Sequence, residues 1–398
     1  MISSDLPPLL RRLQRLVETP TAPFREDWAC RTLDDLLSEI PGLRIVADSF
    51  GNRIVRLRRG NPGGPPAIFV AHLDHPGFLF SNPGGARRLS PNGPWCAEVI
   101  FEGRVDDRFF AGAQLRLHHA PGDPGIAARV VEAHPVDPET DDRTVIIEAD
   151  DDATGAFLGV WDVPAFAHDT TTGLLHLRAA DDLAGAAAMV EALARLATED
   201  EVDVAMIFTR AEEAGFCGAL CLLKQKPWPG ILPRDSVFVS VEISAERQTA
   251  RVGDGALIRT GDRSTTFDGP VCDMLYSLAY SQRIKARRAL MDGGTCEATA
   301  FAREGFRCGG VCAPVRHYHN MNQETGRLVP EIISHGDLEA LVQLIAGLAK
   351  AYISNDMPME SPICNDYDLF LRKGRAKLHP VPPSEPRFLP CAALPHTA

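Results

Sequence analysis

The sequence predicts an α/β fold, a mixed sheet between helical layers (α/β/α), with a small all-β domain inserted into it. Three observations carry this expectation. Apolar residues recur at helical spacing near both ends, over residues 9–17 and 335–351. Short continuous apolar runs, residues 67–71 foremost, are bounded by Gly/Pro clusters and polar triplets, as buried parallel strands are. From about residue 79 to 163 the chain changes to short alternating runs separated by Gly, Pro and Asp, with no convincing helix.

Element by element, helices are expected over 9–17 and 28–40, then strands over 43–47 and 54–57 joined by the turn SFGN, then the buried strand 67–71. Strands at 96–101, 114–118, 127–131 and 144–148 make up the insertion. Alternation resumes with a helix at 182–196, a strand at 202–208, a helix at 211–223, a strand at 237–241 and a closing helix at 335–351. The domains expected are 1–78 with 164–353, the insertion 79–163, and a proline-rich tail, 354–398, in which no periodic pattern returns. A chain of 398 residues also exceeds the size at which one core usually stops growing.

Composition narrows the function classes. With 45% apolar and 24% charged residues the chain reads as a soluble globular protein. A net charge of −12 argues against a general nucleic-acid or anionic-membrane surface. The N-terminus, MISSDLPPLLRRLQRLVETP, has no long apolar core of a signal peptide, and no run of about 18 apolar residues is present to span a bilayer. Ten cysteines scattered along a long chain fit reduced thiols, so a cytoplasmic location is expected. The two C-x3-C pairs, Cys217/Cys221 and Cys308/Cys312, lack partners at zinc-site spacing and read as buried thiols.

The run 67–71 ends in AHLDHPGF, which puts His72, Asp74 and His75 within four positions. Alone this is either a polar strand end or a metal-ligating His72 with Asp74 orienting its ring. Four further clusters lie at strand ends or in the turns after them: Asp181-Asp182, Glu212-Glu213, Glu242, and His317 with His319. Each has an ordinary structural explanation, such as a helix cap, a charged first turn or a salt bridge. In an open α/β sheet, however, all five reach one crevice outside the carboxyl ends of the strands.

Taken together these residues resemble the tetrahedral (TET) aminopeptidases, the glutamyl-aminopeptidase-like dinuclear metallopeptidases. The resemblance covers about 9–348 and rests on His72/Asp74 with Gly77-Phe78, Asp181-Asp182 with Gly185, Glu212-Glu213 with Gly215, Glu242, Gly293-Gly294-Thr295, and Arg316 with His319. It implies a metallopeptidase catalytic domain that removes N-terminal residues from peptides, using a water held between two divalent metals, most often Zn2+, with Co2+ or Mn2+ as alternatives. It further implies that Asp181 bridges the metals, that His72 and Glu242 complete one site and Glu213 and His319 the other, and that Glu212 is the general base. Asp74 is expected to hold the His72 ring, Asp182 to cap the following helix, and His317 to flank the site. Gly294, Thr295, Cys296 and His75 are expected in the substrate pocket. The resemblance also implies a homo-oligomer, a dodecamer among the assemblies, that takes peptide substrates.

Besides His75, which replaces a commonly acidic residue, two positions depart from the family pattern. Glu242 stands where Asp is usual, and Cys296 where Gly-Gly-Thr is usually followed by Asp. They keep open a second reading, a dinuclear amidohydrolase, deacylase or carboxypeptidase-type enzyme on the same scaffold. Cys296 is not expected to be a nucleophile, because no feature of the sequence pairs it with a base.

Overall fold

The computed structural model describes residues 6–80, 94–225 and 232–354, together with 369 and 372–373. The chain divides into Met1–Met359, which carries every element named below, and Glu360–Ala398, of which only Leu369, Arg372 and Lys373 are described. The proline-rich tail expected over 354–398 therefore lies almost entirely outside the described residues.

Helix α1 (Pro8–Glu18) starts with proline in its first turn, where no amide partner is lost, and buries Leu9, Leu10, Leu13, Leu16 and Val17. Helix α2 (Asp27–Ser38) leads into the hairpin of β1 (Leu43–Ala47) and β2 (Arg53–Arg59). Strand β3 (Ala67–His72) is buried at every position. The chain then enters a closed barrel of β4 (Gly77–Leu79), β5 (Trp95–Glu102), β6 (Gln114–His118), β7 (Ile126–Ala133), β8 (Arg143–Ala149) and β9 (Leu158–Trp161), ordered β4-β5-β8-β7-β6-β9. A single 3-10 turn, Asp107–Phe109, is the one helical piece among its described residues.

The barrel fills with aromatic side chains. Phe78 meets Phe101 and Trp161 edge-on at 5.0 and 4.8 Å between centroids, and Phe101 meets Phe110 at 4.9 Å. Gly77 is required at the entrance, because a Cβ there would fall 2.7 Å from the Ala22 methyl. The Gly-Phe pair thus combines a close backbone passage with the first ring of the barrel core.

After the barrel, β10 (Phe166–Asp169) and β11 (Leu174–Leu177) lead to α3 (Leu183–Leu196), which is buried on nearly all sides and packs against α1 and the last helix. The chain continues through β12 (Val202–Thr209), α4 (Cys217–Lys224), β13 (Val237–Ala245), β14 (Ala256–Asp262), α5 (Gly269–Ser281), β15 (Ala286–Met291), α6 (Glu297–Arg303) and β16 (Arg307–Val315). Two short strands, β17 (Met321–Asn322) and β18 (Arg327–Leu328), precede β19 (Glu331–Ser334) and α7 (His335–Ser354).

The main sheet runs β1-β2-β12-β3-β13-β16-β14-β15. Its centre, β12-β3-β13-β16, is parallel, and β2 and β14 join it antiparallel. The register sets Thr209 of β12 opposite His72, and Ser240 of β13 opposite Val70, so Glu242 comes level with His72. The mixed α/β layers and the inserted barrel match the expected fold class.

One predicted element is corrected. The helix expected over 211–223 begins only at Cys217, because Ala211 (φ 52), Gly215 (φ 97) and Phe216 (φ 59) all take left-handed backbone conformations. This turn, instead of a helical face, carries Glu212 and Glu213. A second correction concerns Cys217 and Cys221, which are half-buried and exposed, whereas Cys308 and Cys312 are buried as expected.

Candidate active site

Strands β3, β12 and β13 deliver His72, the Glu212-Glu213 turn and Glu242 to one end of the sheet, and the segment after β16 delivers His319. Asp181 arrives in the approach to α3. His72 Nε2 lies 3.4 Å from Asp181 Oδ1 and 3.9 Å from Glu212 Oε2. On the other side His319 Nε2 lies 3.6 Å from Asp181 Oδ2 and 2.8 Å from Glu213 Oε1. Asp181 therefore stands between the two imidazoles, one carboxylate oxygen toward each. Single donor atoms of His72, Asp181 and Glu213 fall within 4.8 Å of one another.

The imidazoles are oriented from behind. His319 Nδ1 is 2.7 Å from the carbonyl oxygen of Arg104, which can only accept, so Nδ1 carries the hydrogen and Nε2 presents its lone pair to the carboxylates. His72 Nδ1 faces two oxygens of Asp74, the carbonyl at 3.2 Å and Oδ1 at 3.4 Å. Asp74, fully buried, also accepts the backbone N–H of Glu212 (3.0 Å) and of Glu213 (2.9 Å). One carboxylate thus fixes a histidine and the turn bearing both glutamates.

The donor atoms at the centre remain unclaimed. Asp181 Oδ1, Glu213 Oε1 and His319 Nε2 are buried without a hydrogen-bond partner. Glu213 Oε1 and His319 Nε2 approach closely, but out of hydrogen-bond alignment. Buried polar atoms are normally satisfied, so converging imidazole and carboxylate lone pairs of this kind fit a divalent cation.

Electrostatics agree. Burial pushes the Glu212 carboxyl well above its ordinary range, and Glu242, Glu213 and Glu297 add like-charge repulsion. Burial likewise raises Glu242 to about 7, against the opposing pull of Arg259 and His72. For His72 burial disfavours the charged ring, yet Glu212, Asp181 and Asp74 outweigh it and the pKa rises well above 6.5. His319 follows the same balance, with Glu213 and Asp181 raising it. Without a cation the cluster must hold protons, and a cation would take their place.

Three expectations about neighbouring residues are corrected. Asp182 makes no side-chain cap to α3; its Oδ2 accepts the His72 N–H at 3.3 Å, and its carboxylate lies over Gly185, where a Cβ would stand 2.1 Å away. His75 does not line the pocket, because it is buried with Nδ1 2.6 Å from the Asp181 carbonyl and Nε2 3.0 Å from Asn320 Oδ1. Cys296 is buried behind the pocket wall, its N–H donating to Asp262 Oδ2 at 3.1 Å, and burial pushes its thiol far above the ordinary range. Gly294 and Thr295 do line the cavity, and His317 turns aside to the Pro330 carbonyl.

A cavity of about 600 Å³ opens over the site, lined by Glu212, Glu213, His319, Gly294, Thr295 and Tyr318. A second of about 210 Å³ adjoins Glu242 and is lined by Arg247, Arg259 and the Gly293-Gly294-Thr295 segment. Sequence reasoning missed Tyr318, both arginines and Glu331. Glu331 is fully buried; its Oε2 accepts from Ala180 N (2.7 Å) and Asp181 N (3.1 Å), and its Oε1 from His319 N (2.8 Å). The only local signal was Tyr318, inside the Arg-x-x-His segment.

Facing histidines and carboxylates at the carboxyl ends of parallel strands, with a further glutamate beside them, define a metal-dependent hydrolase. The chain belongs to the M42 glutamyl aminopeptidase family, whose model matches residues 51–344, and it is a metal-dependent aminopeptidase. Among solved structures it is similar to an aminopeptidase from the archaeon Desulfurococcus kamchatkensis (TM-score 0.68, 20% identity, covering 89% of this chain and 98% of that one). The TET aminopeptidase of a marine-sediment Thaumarchaeota archaeon gives TM-score 0.68 at 18% identity, over 86% and 96% of the two chains. The TET1 peptidase of Pyrococcus horikoshii gives 0.63 at 22% identity, over 86% and 99%.

Proposed function

We propose that His72, Asp181, Glu213, Glu242 and His319 hold two divalent cations, zinc first, with cobalt or manganese as alternatives, and that Asp181 bridges them. The observation that carries this is the set of buried, unclaimed donor atoms converging around Asp181. Cations bound there lend Lewis acidity to the scissile carbonyl and bring the pKa of water down towards about 7. Glu212 takes the proton of the attacking water and returns it to the leaving amine. Asp74 acts indirectly, setting the positions of His72, Glu212 and Glu213.

The smaller cavity supports a preference for an acidic N-terminal residue. Arg259 is buried beside Glu242, and Arg247 lies so close over Gly293 that a Cβ there would overlap its guanidinium. Two guanidiniums beside the reacting centre suit a substrate carboxylate. Burial of Cys296 away from the cavity removes one of the two reasons for the deacylase reading.

The dodecamer of a TET1 peptidase and the tetrahedral or octahedral shells of the Pyrococcus horikoshii protein support a homo-oligomer here, a dodecamer among its forms. Peptides are its proposed substrates and the cytoplasm its proposed location, the latter on the scattered cysteines. We place the catalytic domain at 1–78 with 164–353 and the inserted domain at 79–163, the latter serving assembly. No helix among the described residues is long and apolar enough to cross a membrane.

The test is hydrolysis of aminoacyl chromogenic amides beside their N-acetylated forms, after adding zinc, cobalt or manganese to metal-stripped protein. Cleavage of free-amine substrates alone is expected. Turnover of acetylated substrates alone would favour the deacylase instead.

A further inference from the structure

Tyr318 lines three cavities around the site among the described residues. It lines the 600 Å³ cavity with Glu212, Glu213 and His319, and the 210 Å³ cavity with Glu242, Arg247 and Arg259. It also lines a third, of about 330 Å³, with Glu213, Arg104 and Met321. Its ring stacks on the His319 imidazole, with centroids 3.8 Å apart and planes 23° apart. The phenol thus borders cavities that reach both Glu242 and the Glu213/His319 side.

The hydroxyl has no hydrogen-bond partner among the described residues. A phenol hydroxyl can donate, whereas Glu212 and Glu213 of the same wall, when ionised, only accept. Of the cations lining the same cavity, Arg104 is paired with Asp141 at 2.5 Å.

Hydrolysis creates a need for such a donor. As water adds to the peptide carbonyl, the new C–O bond forms and the π electron pair moves onto the carbonyl oxygen; the water's proton passes to Glu212. Collapse then breaks the C–N bond, and that proton goes to the leaving nitrogen. Between the two steps the former carbonyl oxygen is an anion, and a pre-placed hydrogen-bond donor there stabilises the transition state more than the substrate.

The geometry points to Tyr318 as a catalytic residue whose hydroxyl donates a hydrogen bond to the oxyanion. This rests on the roles proposed above for Glu212 and the ligand set. Within that frame the ring's stacking on His319 holds the phenol at the cavity wall, and Phe at this position preserves the stacking while removing the donor.

The experiment compares wild type, Tyr318→Phe and Glu212→Gln, all loaded with zinc, on one free-amine aminoacyl amide. Loss of a single oxyanion donor predicts a kcat for Tyr318→Phe about 10²–10³-fold lower, with KM and bound zinc unchanged. A dipeptide analogue with a tetrahedral phosphinate in place of the scissile amide should bind this variant more weakly by a comparable factor, while the product amino acid binds as before. Unchanged kcat in Tyr318→Phe, or a loss explained by released zinc, overturns the assignment. A Glu212→Gln enzyme that still turns over would instead refute the underlying placement of the base, and the two failures are told apart.

Discussion

The Nδ1–H of His319 donates to the main-chain carbonyl of Arg104, 2.7 Å away, so the loop that leaves β5 of the barrel orients a proposed metal ligand of the α/β layers. The same loop is tied to the segment after His319 by contacts from Asp106 to Met321 and from Arg108 to Gln323. An inserted barrel thus contributes to the site and does more than decorate the sheet.

Gly103 sets the path of this loop. Its φ is +109°, and a Cβ would fall within 2.6–2.9 Å of Pro76. Gly103→Ala should displace the Arg104 carbonyl and weaken cation binding by about 10–100-fold, the usual effect of losing an outer partner of a ligating histidine. Competition titration of zinc against a chelator checks this; an unchanged affinity would separate the barrel from the site.

Glu331 ties Asp181 and His319 through three backbone N–H groups. In Glu331→Gln one acceptor becomes a donor facing an N–H, leaving buried groups unpaired at about 1–3 kcal/mol each. Both thermal stability and zinc affinity should fall, read by calorimetry and by the same titration. Stability lost with zinc affinity intact would make Glu331 purely structural.

Arg247 is the residue on which the acidic preference depends. Arg247→Gln should remove the preference for Glu over Gln amides by about tenfold or more, because pairing a buried carboxylate is worth more than filling an apolar pocket. Leu and Ala amides should be cleaved as before. An equal loss on every substrate would assign Arg247 to the general architecture.

Glu102, at the end of β5, gives a pH dependence of stability. Burial first, then Asp142, raises its pKa from 4.5 to about 8. The folded protein therefore holds a proton that the unfolded chain releases between these values. The stability it confers is complete below pH 4.5 and is lost as pH rises through about 8. Relative to Glu102→Gln, wild type should lose melting temperature across this window; parallel curves would contradict the assignment.

Much of this was legible because the chemistry sits where the strands end. Strand β3 is a continuous apolar run closed by His72, and β12 is one followed by Glu212-Glu213, so ligand positions could be read from local pattern. The turn at Ala211–Phe216 was not legible, since its apolar spacing imitates a helix while left-handed backbone at Ala211 and Phe216 redirects the chain. Strands β14 to β16 and helices α5 and α6 also escaped reading, because glycine, proline and charged residues interrupt their apolar runs. Glu331 was invisible for a different reason: it acts on residues about 150 positions away, and no local pattern marks it. His75 and Cys296 were misplaced because polarity in sequence does not reveal which side of a cavity wall a side chain faces.

The most direct test of the central claim is a titration of zinc into metal-stripped wild type and Glu212→Gln, following bound zinc and cleavage of a free-amine glutamyl amide together. Two zinc ions per chain are expected in both proteins, with turnover only in wild type. A single zinc ion at saturation, or turnover retained in Glu212→Gln, would contradict it.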